Sequence, residues 1–182
     1  MFKNPVAKAT GAAVYASVIV LAIVAGLGNQ ALQNWRETQA TSGNGWTQDV
    51  FRPLLLTGWR VTAESGQSTE QWLAPLVFNV AFLILAFFLV DIAARDAGRL
   101  SLFFGTWSAV TLAGGGAALI ETPLAFQGVG TPASANFAQA LTEGLVLGFL
   151  VGVIAAVVAA LFAGPRAARA AHSSPMGNGI VG

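Results

Sequence analysis

Apolar residues along this chain gather into four long runs, at 11–28, 73–90, 100–120 and 140–164. Each approaches the ~20 residues with which a helix crosses a hydrocarbon core of about 30 Å. A bilayer core offers the backbone no water, so each run is expected to satisfy itself as a helix. The fold expected is an all-α integral membrane protein with four transmembrane helices. They are placed at about 11–29, 73–93, 100–121 and 140–164, in a single domain over residues 1–170. Residues 31–72 connect the first two helices, and 171–182, rich in Gly, Ser and Pro, read as a disordered cytoplasmic tail.

Counting Gly, about two-thirds of the 182 residues are apolar and only 9% are charged; soluble domains run near 45–50% and 25%. This excludes a soluble enzyme domain and a disordered polypeptide. A net charge of +1 leaves too little positive surface for a nucleic-acid partner. Arg outnumbers Lys seven to two and Ala is abundant, which points to a GC-rich bacterial genome.

Lys3 and Lys8 before the first run suit either a retained helix or a signal peptide. Its 18 uncharged residues exceed the usual apolar region of about 7–15, and no A-x-A site follows Gly28, so a retained helix is expected. Orientation follows from the basic residues. Lys3, Lys8, Arg95, Arg99, Arg166 and Arg169 fall on one side of a four-span chain, while Arg36, Arg52 and Arg60 share the 42-residue connector on the other. Both termini are therefore expected in the cytoplasm and the protein in the plasma (inner) membrane, with residues 31–72 external.

Helix ends carry their own signals. Ser68-Thr69-Glu70-Gln71 matches a capping box ahead of the second run. Thr131-Pro132 resembles an N-cap with Pro at the first helical position, so the fourth helix is expected to begin near Pro132 and project beyond the membrane. Pro123 is read as the exit from the third helix and Gly164-Pro165 as the end of the fourth. In the connector, residues 41–45 read as a turn or flexible link. Residues 46–61 are apolar for a loop and contain Pro53 and Gly58; a short interfacial element or a cap on the bundle is expected. Trp35, Trp46, Trp59 and Trp72 mark an aromatic belt at the outer headgroup level.

The fourth run holds the sharpest pattern. Gly144, Gly148 and Gly152 recur every four residues, and Ala156, Ala160 and Gly164 continue the series. Residues four apart share a helix face, so these form a smooth stripe suited to close helix packing. Whether the helix in that groove belongs to this chain, a second copy or another protein is left open. In the third run, Gly114-Gly115-Gly116 implies either close packing or local unwinding.

Candidate chemistry is sparse. Carboxylates near the bilayer midplane would mark a proton or cation path, yet Asp91, Glu121 and Glu143 all fall toward helix ends. Asp91 is expected to pair with Arg95, and Glu121 with Glu143 offers an outer cation site, against the commoner outcome of simple solvation. Asn79 lies roughly 10 Å into the second run and is expected to bond between helices, with Thr106, Ser108 and Thr111 as partners. Tyr15 and Ser17 are further bundle-facing groups. There is no Cys, and the single His172 lies in the tail. No catalytic residue, metal site or cofactor is therefore expected. The function expected is a non-catalytic multi-pass membrane protein, an accessory or assembly subunit packing through the small-residue face of its fourth helix. A small transporter or channel working as a homo-oligomer is the competing expectation. The partners implied are the lipid bilayer and another membrane protein or further copies of this chain.

Overall fold

The computed structural model of the chain describes residues 5–29, 32–35, 45, 53–58, 66–95, 98–128 and 132–172. Four helices account for most of them: α1 (Pro5–Leu27), α2 (Thr69–Ala93), α3 (Arg99–Ala125) and α4 (Ala133–His172). Among the described residues a 3-10 turn, Leu55–Thr57, lies between α1 and α2, and no strand occurs. Three helical stretches (Thr69–Ala93, Arg99–Ala125 and Ala133–Phe162) are long and apolar enough to cross a membrane, and Gly11–Leu27 is a shorter apolar one. The chain is thus a membrane-type helical protein.

Sequence chemistry accounts for the helix ends. The Ser68 hydroxyl accepts from Gln71 N–H (3.2 Å), and Ser68 N–H donates to the Gln71 side chain (3.3 Å), completing the capping box of α2. The Gln71 amide also donates to the Gln127 carbonyl (3.2 Å), tying the start of α2 to the end of α3. Two expected helix stops do not act as stops. α3 runs past Pro123 to Ala125, and α4 runs through Gly164-Pro165 to His172. A proline removes one i→i−4 bond without ending a helix whose neighbouring residues propagate well. The Arg/Ala-rich sequence after Pro165 has high helix propensity. Ala171 and His172 are accordingly helical, while 173–182 lie outside the described residues.

The helices form a four-sided ring. α3 packs on α2 and α4, α1 packs on α2 and α4, and the α3–α4 interface is the most extensive. α4 is antiparallel to α3, since Gly144 meets Gly114 while Gly152 meets Trp107. Antiparallel packing recurs between α2 and α3 (Gly105 on Ala93, Gly116 on Leu85) and between α1 and α4, where Tyr15 and Phe162 stack at 5.9 Å. One end of the ring therefore holds the end of α1, the start of α2, the end of α3 and the start of α4. We call it the connector end.

Inward faces repeat every four residues: Ala12, Ala16, Val20 and Val24 on α1, and Ala74, Phe78, Phe82, Ala86 and Val90 on α2, all buried. The opposite ridge of α2 (Leu76, Val80, Ile84, Phe88, Ile92) is exposed and equally apolar. The phenylalanines of α2 divide accordingly: Phe78 and Phe82 fill the core with rings 5.6 Å apart, and Phe88 points out.

Candidate functional site

α3 and α4 meet main chain to main chain. A methyl group built on Gly148 would lie 2.7 Å from both the Val110 and Thr111 carbonyl oxygens. On Gly152 it would meet the Trp107 ring at 2.9 Å. Gly114 and Gly144 face one another so closely that a side chain on either would strike the other's carbonyl oxygen. Such contacts between main chains are open only to glycine, and they bring many atom pairs into van der Waals range. The stripe is thus occupied by a helix of the same chain over Gly144–Gly148–Gly152. Ala156 is buried further along and Ala160 partly so, while the surroundings of Gly164 lie outside the described residues. Over that stretch α3, a helix of the same chain, fills the small-residue face of the fourth helix.

The three consecutive glycines of α3 serve two neighbours at once. Successive residues point about 100° apart on a helix. Gly114 meets α4 backbone, Gly115 meets Leu141 and Leu145 of α4, and Gly116 meets Leu85 of α2. The helix stays intact across them, so close packing rather than unwinding is their role.

A polar clamp crosses this interface. Trp107 Nε1–H donates to the Phe149 carbonyl at 3.2 Å, and its ring lies edge-on to Phe149 at 4.9 Å. Thr111 donates its hydroxyl to the Trp107 carbonyl at 2.8 Å. Sequence reasoning passed over Trp107 because it assigned tryptophan to the headgroup belt. The available signal is its isolation from the other four, inside an apolar run. Of those, Trp35 is half-exposed and Trp72 partly buried, and Trp46 and Trp59 lie outside the described residues.

Asn79 has a different partner from the one expected. Its Nδ2 donates to the Thr57 carbonyl at 3.4 Å, not to α3. Thr111 and Thr122 instead bond back within α3, Ser108 is exposed, and the buried Thr106 hydroxyl has no partner. For Thr111 and Thr122 the helix carbonyl four residues back lies within reach of the hydroxyl, and local bonding wins there over a longer reach. Thr57 is fully buried, and its hydroxyl donates to Leu54 O at 2.9 Å. Gln33, also buried, lays its side chain directly against Gly58, where any Cβ would collide with it. Residues 53–58 thus turn into the connector end against α1 and α2. Gln33 escaped sequence reasoning, since nothing in its neighbourhood marks it as buried.

The acidic groups complete the survey. Asp91 and Arg95 pair at 3.0 Å on the exposed end of α2. Glu121 is not solvated as expected: it is only 6% exposed, with Glu143 close enough to interact electrostatically. Glu143 accepts from the Gln139 amide at 3.1 Å. Among the described residues no group of three His, Cys, Asp or Glu side chains assembles into a metal centre, so Glu121 and Glu143 remain a pair. The chain matches no protein-family model, no curated protein and no solved structure.

Proposed function

We propose that this chain is a multi-pass membrane protein of four spans, with both termini cytoplasmic and residues 31–72 external, in a plasma (inner) membrane. It serves without catalysis, as an accessory or assembly subunit of a membrane complex. The observation that supports this reading is the α3–α4 contact at Gly114, Gly144 and Gly148, where main chains touch. Such a rigid, closely packed hairpin suits a scaffold better than a conduit, which needs a water-lined path. A partner then meets the apolar outer faces rather than the glycine stripe. Purification in mild detergent at native expression, with identification of co-purifying proteins, tests the proposal. A stoichiometric membrane partner is expected, and an isolated monomer overturns it. Reporter fusions at Gly43 and Gly182 are expected on opposite sides of the membrane, and an external C-terminus refutes the topology.

One observation favours the transporter or channel reading. The Ser17 hydroxyl, the Asn79 carbonyl oxygen and the Thr106 hydroxyl are buried without a hydrogen-bond partner, one on each of three helices. Unpaired buried polar atoms are where ordered water or an ion is sought. Ion or solute flux in liposomes containing only this chain, lost on Asn79→Leu, would move the conclusion to that reading.

A further inference from the structure

We propose that residues 53–58 form a plug, seated on Asn79 in the connector end of the bundle, that opens as a unit while the helices stay packed. The assignment of the connector end to the outside rests on the topology proposed above.

The seat begins with backbone chemistry. Irregular backbone at membrane depth is tolerated only where protein covers it. Here the Asn79 amide holds the Thr57 carbonyl, and the Gln33 side chain covers Gly58. Asn79 lies ten residues into α2, about 15 Å along the helix from Thr69. The turn therefore sits well below the first residues of α2, against α1 and α2.

Two opposing contributions give the plug two positions. Leu54 and Leu56 pack against the core, and Leu54 closes one side of an apolar groove formed with Ile23 and Leu27 of α1 and Leu150 and Ile154 of α4. These contacts hold the plug in. The polar side of the seat is incomplete, however. The Asn79 bond is long at 3.4 Å, and the Thr57 hydroxyl is turned back onto Leu54 O. The Asn79 carbonyl oxygen is buried with no partner at all. Lifting the plug lets water reach that oxygen, so opening returns hydration while it loses apolar contact. By contrast α3 and α4, which meet main chain to main chain, gain nothing by separating. Local opening of a short segment below the global unfolding threshold is the expected consequence.

The chain has no cysteine, so a single introduced thiol reports its own accessibility. Thr57→Cys, Thr69→Cys and Thr106→Cys, each in the full chain in membranes, are treated with a membrane-impermeant maleimide. Thr69 is exposed at the start of α2, and Thr106 is buried in α3. Thr57→Cys is expected to react about ten-fold or more slowly than Thr69→Cys, yet to completion, with Thr106→Cys protected throughout. Adding Leu54→Ala, which removes an apolar contact that holds the plug in, is expected to accelerate Thr57→Cys alone. Three results overturn the plug: Thr57→Cys reacting as fast as Thr69→Cys from the start, a Leu54→Ala background that leaves it slow, or Thr57→Cys and Thr106→Cys opening together. Failure of the topology is distinguishable. Thr69→Cys would then label only after permeabilisation, and the same rate comparison would be made in permeabilised membranes.

Discussion

α3 and α1 are both apolar helices, α1 the shorter in its apolar stretch, yet they join the bundle in different ways. α3 meets α4 through glycines that admit main-chain contact, reinforced by the Trp107–Phe149 hydrogen bond. α1 meets α4 across an apolar groove of about 440 Å³, and its Gly11 and Gly26 face open space. Lipid tails are as apolar as leucine, so burying an apolar side chain against another helix gains little over leaving it in lipid. What distinguishes the two interfaces is intimacy of contact. The α3–α4 hairpin should therefore be the stable unit, and α1 the helix that loosens first.

The sharpest way to break this comparison is a bulky residue in the tight interface. Gly148→Ile drives a side chain into the Val110 and Thr111 carbonyls, and a loss of about 3 kcal/mol or more is expected. Val146→Ile, on the exposed side of the same helix, and Gly26→Ile, where a Cβ meets nothing, are expected to be neutral in thermal unfolding in detergent. Equal behaviour of Gly148→Ile and Gly26→Ile would erase the distinction between the interfaces. Next comes Trp107→Phe, which keeps the aromatic contact and removes the donor to Phe149. An interhelical hydrogen bond in a membrane contributes about 0.6–2 kcal/mol, so a loss near 1 kcal/mol is expected, read as earlier separation of α4 from α3.

Two smaller effects calibrate α2, the neighbour common to α1 and α3. Ser68→Ala removes the cap acceptor and is expected to destabilise by about 0.5–1 kcal/mol, visible as faster hydrogen exchange in the first turn of α2. Asp91→Ala breaks the exposed pair with Arg95 and should shift the melting midpoint least, by about 0.2–0.5 kcal/mol. A larger effect of Asp91→Ala would mean that this turn contributes more to the packing of α2 than its exposure implies.

How far the site was legible in the sequence varied by residue. The capping box at Ser68 and Gln71 and the Asp91–Arg95 pair are local, spanning three or four positions, and local spacing is what a sequence displays. The glycine stripe was visible as a pattern, but its neighbour was not. Asn79 stands out in the sequence as a polar group in an apolar run, while its partner lies 22 residues away in the connector. Gln33 and Trp107 were missed, because their roles arise only when distant segments meet.

By itself the sequence determined the class of protein, all-helical and apolar enough for a membrane, the positions of the long apolar helices, and a face of α4 on which only small residues stand. Those follow from composition and from periods of three and four residues, which act along one helix. Tertiary structure alone decided that α3 fills that face, that Glu121 is buried, and that residues 53–58 turn in against Asn79. The physical reason is that inward and outward faces of these helices are equally apolar. In water a hydrophobic pattern announces which side is buried; in a bilayer it does not. There the choice falls to the fit of one helix surface against another.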